Sequence, residues 1–105
     1  MIKVIALVTR KDGMSREEFR EYWVTTHSPL AAAMPGLRGY RINIAGTPRD
    51  RDSESYDGSA ELWFDDREAM EVGMTSMEGE VAFADVPNFA SNIVSMVTHE
   101  HVIVD

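Results

Sequence analysis

The feature that most constrains the fold of this chain is the order of its hydrophobic patterns. Short apolar runs typical of strands and apolar residues at helical spacing follow one another as β-α-β-β-α-β. Strands are predicted at residues 2–8, 37–44, 59–64 and 93–104. This order predicts a ferredoxin-like α+β fold, with a four-stranded antiparallel sheet, the first and third strands in its centre and the helices on one face. Since the chain has 105 residues, we expect a single domain that spans residues 1–105.

The first helix has a clear start signal and a predicted break. Ser15 and Glu18 have the spacing of a capping box, and apolar residues follow at helical intervals. Pro29 disfavours helical geometry at Ser28, so we expect the helix to end near His27. Ser28 is then expected to cap a second short helix, with Pro29 as its first residue.

The second half of the chain contains a loop and another helical region. Residues 45–55 combine Gly, Pro and alternating charges, which predicts a solvated loop. Asp65 and Glu68 are expected to form an acidic cap of the next helix, whose apolar stripe ends at Met77. Residues 81–89 are expected to be partly helical.

The composition excludes several classes of protein. Ten Lys and Arg residues against eighteen Asp and Glu residues give a formal net charge of −8. Nucleic acids and anionic membranes are bound by basic surfaces, so we expect neither as a partner. The absence of cysteine excludes disulfides, a thiol nucleophile, an iron–sulfur cluster and a cysteine-based zinc site. No apolar run approaches the roughly 18 residues that cross a membrane, and no signal peptide is apparent, so we expect a cytoplasmic protein.

The first strand is apolar on both of its faces, which predicts a second protein layer on the sheet. Ile5 and Leu7 lie on the face opposite to the core, and Trp63 points away from Leu62 and Phe64. One layer of helices would leave this second face in water, and such patches usually mark interfaces. We therefore expect a homodimer through the sheet face that carries Trp63. The alternative is a lone domain with ordinary apolar surface residues.

His27 and Tyr40 are the candidate catalytic residues. A histidine titrates near neutral pH, which suits general acid–base catalysis, and a buried phenol needs a hydrogen-bond partner. If the second strand packs under the first helix, the two side chains meet in an apolar pocket that suits a small molecule. The alternatives are a histidine that caps a helix C-terminus and a core tyrosine. The expected pocket residues are Trp23, Leu30, Met34, Leu62, Phe64, Phe83 and Phe89.

The remaining ionisable residues carry weaker signals. His99 and His101 share one face of the last predicted strand, but no spacing supplies a third metal ligand, although Asp85 or Glu100 could lie nearby. We interpret the two histidines as strand-edge or interface residues and expect neither a bound metal nor an organic cofactor. Asp57 and Asp85 are interpreted as turn or cap residues.

Several segments carry a family resemblance. Residues 19–30 contain the pattern F-x-x-x-W-x-x-x-H-x-P-L, residues 34–40 read M-P-G-L-R-G-Y, residues 61–65 read E-L-W-F-D and residues 100–103 read E-H-V-I. Together they resemble the EthD family, named after a protein linked to ethyl tert-butyl ether degradation. The resemblance implies the dimeric α+β-barrel form of the ferredoxin-like fold. It does not imply one reaction, since some relatives in fungal polyketide pathways act as dehydratases or decarboxylases.

The chain is also similar to the methylmuconolactone methylisomerases, small enzymes of methylaromatic catabolism with the same fold. In those enzymes a histidine and a tyrosine line the pocket, and they match His27 and Tyr40. A further histidine and a cysteine of that pocket are missing here, and Leu62 stands where the cysteine would be.

These observations favour an enzyme without metal or organic cofactor. His27 would act as general base or acid, and Tyr40 would donate a hydrogen bond to a developing oxyanion. The expected substrate is a small aromatic, lactone or polyketide-like molecule. One alternative is a non-catalytic protein that binds a small hydrophobic ligand. Another is a haem-dependent oxidoreductase, as some dimeric α+β-barrel proteins bind haem, with His99 or His101 as the axial ligand.

Overall fold

Four strands form one sheet, and each helical region is divided into shorter segments. The computed structural model describes residues 1–46 and 56–105. In chain order the elements are β1 (Ile2–Arg10), α1 (Arg16–Glu21), a π-helical segment (Tyr22–His27), α2 (Ser28–Ala32), β2 (Leu37–Ile44), β3 (Gly58–Phe64), α3 (Arg67–Thr75), α4 (Met77–Asp85), a 3-10 turn (Val86–Asn88) and β4 (Ala90–Thr98). The strands pair antiparallel in the order β2-β3-β1-β4. The predicted ferredoxin-like α+β fold is thus confirmed. Most of the loop predicted at residues 45–55 lies outside the described residues.

Alternate side chains of the central strands build the core on the helix-covered face. The buried residues of β1 on this face are Ile2, Val4, Ala6 and Val8. Opposite the first three, on β3, lie Phe64, Leu62 and Ala60. Because side chains two residues apart share a face, a slip of one residue would turn this whole row away from the core, so the apolar pattern fixes the register.

The predicted helix break before Pro29 is wrong. Ser28 has helical backbone angles, with φ −57° and ψ −37°, and its N–H donates to the Trp23 carbonyl five residues earlier. The Ser28 hydroxyl donates to the carbonyl of Val24 and caps no helix. Pro29 lies in the first turn of α2, where a residue without an N–H is tolerated. The chain therefore remains helical through the π-helical segment into α2.

The π-helical segment keeps one row of side chains facing the sheet. Phe19, Trp23, His27 and Ala31 are four residues apart, and all are buried. In a straight α-helix, four residues turn by about 400°, so such a row drifts by about 40° at each step. The i to i+5 bonding of a π-helix makes a wider turn, so four residues rotate less and the drift is compensated.

The third helix starts one residue later than its predicted cap. Asp66 accepts a hydrogen bond from the Ala69 N–H at 2.8 Å and is the N-cap of α3. Asp65, the predicted cap, instead pairs with the Arg38 guanidinium at 3.0 and 3.1 Å. Asp65 directly follows β3 and pairs with Arg38, so the next residue, Asp66, takes the N-cap position.

Ser76 divides the second helical region. It ends α3, and its hydroxyl accepts from the Gly79 N–H at 3.0 Å as the N-cap of α4. Because the chain turns at this residue, Met77 is exposed instead of continuing the buried stripe. Gly73 allows α3 to pack closely against Pro35 and Phe64. A Cβ at this position would lie 2.6 Å from the Pro35 carbonyl oxygen and 2.8 Å from the Phe64 ring.

β4 is shorter than predicted. Its last residue, Thr98, pairs with Lys3, which leaves β1 only two more residues to offer as partners. Residues 99–105 accordingly have no regular structure. The predicted continuation of the strand to residue 104 is therefore wrong.

Trp63 lies on the sheet face opposite to the helices, where charged side chains partly cover it. The Lys3 Nζ lies 4.9 Å and the Arg41 Cζ 4.8 Å from a Trp63 ring centroid, within cation–π distance. Lys3 also forms ion pairs with Glu61 at 2.8 Å and Glu100 at 2.7 Å. Among the described helices, none is long and apolar enough to span a membrane.

Candidate active site

A cavity of about 260 Å³ lies between the sheet and the helices. Its floor is the helix-facing side of the strands, and its walls come from the π-helical segment, α2 and α4. Among the described lining residues, only four have side chains with nitrogen or oxygen: Trp23, His27, Tyr40 and Ser95. No Lys, Arg, Asp or Glu is among them. Small-molecule sites typically combine such an apolar lining with a few placed polar groups.

His27 is held at the wall of this cavity by a carboxylate. It lies at the end of the π-helical segment, and only 7% of its surface is exposed. Its Nδ1 lies 2.8 Å from Oδ2 of Asp85, at the end of α4. Its ring also packs on Phe89, with ring centroids 4.6 Å apart. The interpretation of His27 as a helix C-cap is wrong, because the helix continues past it.

Asp85 accepts hydrogen bonds from three side chains. Besides His27, they are the Tyr22 hydroxyl at 2.6 Å and the Asn88 Nδ2 at 2.9 Å, both on Oδ1. Burial raises the pKa of Asp85, but these three hydrogen bonds outweigh it and hold the pKa below its usual value. Asp85 is therefore an anion at neutral pH.

Tyr40 reaches the cavity from β2, and its phenol is kept protonated. Burial raises the pKa of Tyr40 to about 12, although a hydrogen bond with the Trp23 side chain acts in the opposite direction. The indole N–H can only donate, so the Tyr40 oxygen accepts it and the phenolic hydrogen remains available to a ligand.

The remaining predicted pocket residues fall into two groups. Those that line the cavity are Trp23, Met34, Leu62, Phe83 and Phe89. Leu30 lines a separate surface depression with Met77 and Val81, and Phe64 is fully buried in the core beneath α3. The expectation that Leu30 and Phe64 line the pocket is therefore not met in this structure.

His99 and His101 lie apart from the cavity. Both follow β4 in the exposed terminal segment, and neither is among the lining residues. Within residues 1–46 and 56–105, no group of three His, Asp or Glu side chains is placed to hold a metal ion. A haem bound through either histidine would lie outside the cavity described above.

Comparison with known proteins identifies the family. Residues 11–93 match the EthD domain. The chain belongs to the EthD family. The 4-carboxymethyl-4-methylbutenolide mutase of Pseudomonas reinekei is 32% identical, over 95% of this chain and 98% of the mutase.

Solved structures agree with this assignment. An EthD family protein from Bacillus halodurans C-125 superposes with a TM-score of 0.78 at 28% identity, covering 96% of this chain and 99% of that chain. A dimeric ferredoxin-like protein of unknown function from Thermobifida fusca YX has a TM-score of 0.69 at 22% identity, covering 92% and 88% of the two chains. The predicted family and fold are both confirmed.

In this EthD domain, the group that sequence reasoning missed is Asp85. We interpreted it as a turn or cap residue, and it does accept from Asn88 three residues later. Its contact with His27, however, joins residues 58 positions apart, and the sequence around Asp85 does not indicate this contact. One signal was available: Asp85 lies three residues after the buried Ala82, so it continues the inward face of α4.

Proposed function

We propose that this EthD protein is a small-molecule enzyme that works by proton transfer between His27 and its substrate. The observation that carries the proposal is the convergence of His27 and Tyr40 on one apolar cavity. The His27 Nε2 has no hydrogen-bond partner among the described residues, and no fully buried polar side-chain atom is left unpaired, so Nε2 faces accessible space. A base and a hydrogen-bond donor thus meet in a site that contains no other ionisable group among the described lining residues.

The chemistry that fits this pair is the isomerisation of a lactone or related carbonyl compound. Nε2 would remove a proton from a carbon next to the carbonyl, and the electron pair would move onto the carbonyl oxygen. Tyr40, protonated at neutral pH, would donate a hydrogen bond to that oxyanion. In a β,γ-unsaturated lactone the enolate is conjugated with the ring double bond, so return of the proton to the γ carbon shifts that double bond and completes the isomerisation with no other reactant. One well-placed group of this kind supplies roughly 10² to 10⁴ in rate.

The size of the cavity and the similar mutase narrow the substrate class. A cavity of about 260 Å³ holds a small molecule of one or two rings. The name of the Pseudomonas reinekei relative specifies a butenolide, which is an unsaturated lactone. We therefore infer small lactones first, and aromatic or polyketide-like molecules of similar size second.

The decisive experiment follows proton exchange, because it does not require the product to be known. Alkyl-substituted β,γ-unsaturated butenolides, which carry a CH₂ group next to the carbonyl, would be incubated with the protein in D₂O and followed by ¹H NMR. We expect deuterium to enter the carbon next to the carbonyl with wild-type protein. His27→Ala should lose the exchange, and Tyr40→Phe should slow it. His99→Ala is the matched control, since His99 is exposed and lies outside the cavity. Equal exchange rates in wild type and His27→Ala would refute the proposal.

Binding without catalysis is the second candidate. Leu62 lines the cavity where the methylisomerases carry a cysteine, so part of that enzyme site is absent. Under this alternative, butenolides would shift the fluorescence of Trp23 on binding, and no variant would alter their slow background exchange.

We also propose that the protein forms a homodimer through the sheet face that carries Trp63. Ile5 and Leu7 are half-buried on this face, and Val94 and Met96 of β4, in register with them, are exposed. The Thermobifida fusca protein of the same fold is dimeric. Burying such a patch against a second copy removes apolar area from water.

Light scattering coupled to size-exclusion chromatography tests the dimer. We expect wild type to have twice the 11.8-kDa chain mass. Trp63→Arg would place a third cation beside Lys3 and Arg41 and should yield monomers. Val72→Arg changes an exposed apolar residue of α3 and should remain dimeric. A monomeric wild type would disprove this proposal and leave the chemistry of the cavity untouched.

A further inference from the structure

We infer that Asp85 is a positioning residue that holds His27 in the tautomer with Nδ1 protonated and Nε2 free to accept a proton. This inference rests on the proposed function of the cavity and adds a residue to it. Asp85 does not line the cavity and so acts on a substrate only through His27.

The carboxylate of Asp85 is fixed in orientation by partners on both oxygens. Oδ1 accepts from Tyr22 at 2.6 Å and from Asn88 at 2.9 Å, which leaves Oδ2 directed at His27. The three donors come from three places in the fold: Asn88 from the 3-10 turn after α4, and Tyr22 and His27 from the two ends of the π-helical segment. Rotation of the carboxyl group would break all three hydrogen bonds together.

The charge of Asp85 decides which ring nitrogen of His27 is protonated. An ionised carboxylate can only accept hydrogen bonds, so the Nδ1 that lies 2.8 Å from it must donate. A neutral imidazole has one N–H, so its Nε2 then carries a lone pair. Nε2 is the nitrogen without a described partner, and it is therefore the one that can take a proton from a substrate.

The surroundings of the ring keep it in this orientation. The side chains of His27 and Asp85 are 9% and 11% exposed, so water competes little for their hydrogen bond. Phe89 packs on the imidazole at 4.6 Å. The titratable groups that face His27 are Asp85 directly, Tyr22 through Asp85, and Tyr40 across the cavity. Once Nε2 has taken a proton, Asp85 is the negative charge that stabilises the imidazolium.

Long-range ¹H–¹⁵N NMR of the wild-type protein tests the tautomer without any substrate. At a pH where His27 is neutral, we expect a protonated Nδ1 and an unprotonated Nε2. A wild-type spectrum with Nε2 protonated would overturn the inference. Because the spectrum needs no turnover, a protein that exchanges no butenolide proton would refute the proposed function and leave the tautomer to be judged separately.

Asp85→Asn tests the consequence for proton transfer. The amide can donate as well as accept, so we expect a mixture of His27 tautomers and an exchange rate about 10² to 10⁴ lower than wild type. Asp65→Asn is the matched control, since Asp65 bonds a surface arginine away from the cavity, and it should change neither readout. Asp85→Glu keeps the negative charge and should recover part of the rate.

Two results would contradict the positioning role. One is an Asp85→Asn variant that retains both the single tautomer and the wild-type rate. The other is a rate loss in Asp85→Asn with the tautomer unchanged and no recovery in Asp85→Glu, which would indicate a purely structural role. If Asp85→Asn does not fold, Tyr22→Phe removes only one bond to Oδ1, and it should broaden the His27 signals and lower the rate by less.

Discussion

The Tyr40→Phe variant should lose less stability than wild type when the pH is raised from 9 to 11. Burial raises the pKa of Tyr40 from its ordinary 10.0 to about 12 in the folded protein. A group with a raised folded-state pKa contributes stability that is complete below the unfolded pKa and is lost as the pH rises toward the folded pKa. For Tyr40, the loss therefore begins near pH 10 and is complete above pH 12.

The size of the effect follows from these two values. A shift of two pKa units corresponds to about 2.7 kcal/mol over the full range, and about half of this is lost by pH 11. Tyr40 keeps part of its surface accessible to the cavity, so solvent screening reduces the figure. We expect wild type to lose about 1 kcal/mol more than Tyr40→Phe between pH 9 and pH 11.

Urea unfolding at the two pH values measures this difference. Hydrogen bonds to Glu100 and to Asp85 raise the pKa of Lys3 and of Tyr22, respectively, but these groups are present in both proteins and their contributions cancel in the comparison. Tyr56→Phe, at a surface position, should lose the same stability as wild type. Equal losses in wild type and Tyr40→Phe would refute a buried, protonated phenol at the cavity.

Three further outcomes follow from other parts of the structure. Gly73→Ala should destabilise the protein by about 1–3 kcal/mol in thermal unfolding, because the new Cβ meets the Pro35 carbonyl oxygen, whereas Gly46→Ala, with no neighbour within 4 Å, should change little. Ser15→Ala should cost about 0.5–2 kcal/mol in the same assay through loss of the capping box, and an unchanged melting temperature would contradict this. For a butenolide that carries a carboxymethyl substituent, calorimetry at a pH where His27 is neutral should show tighter binding of the methyl ester than of the free carboxylate. The described lining residues include no Lys or Arg, and an unpaired buried anion is costly. Tighter binding of the carboxylate would place a cation at the bound ligand.

The strands were predictable because their signal is local. Alternation along β1 and β3 identifies the buried row directly, and β2 was predicted with the bounds that the structure shows. Ser15 with Glu18 likewise predicts the start of α1 from residues three apart, and both hydrogen bonds of the capping box are present.

Two wrong predictions, the helix break before Pro29 and the end of β4, concern positions whose structure depends on contacts with other elements. The preference against helical geometry before Pro29 is real, but it is outweighed by the burial of His27 and Ala31 on one helix face, which requires the helix to continue past Ser28. β4 ends close to the point where β1 has no further residues to pair with it, and the sequence of β4 alone does not indicate this point.

The candidate site was predictable in part for the same reason. His27 and Tyr40 could be named from their residue types and from a family pattern. For Asp85 the sequence offered only its spacing from the buried Ala82, because its role depends on a contact with a residue 58 positions earlier and on the two donors that orient it. Its own sequence surroundings resemble those of any acid at a helix end.

The π-helical segment gives this helix room for a change in length. Removing one residue between Tyr22 and His27 would allow an ordinary α-helix, in which the seven remaining steps from Phe19 to the histidine turn by about 700°. The imidazole would then stay within about 20° of the face that carries Phe19. The extra residue of the π-helical turn can therefore be lost without turning His27 away from Asp85.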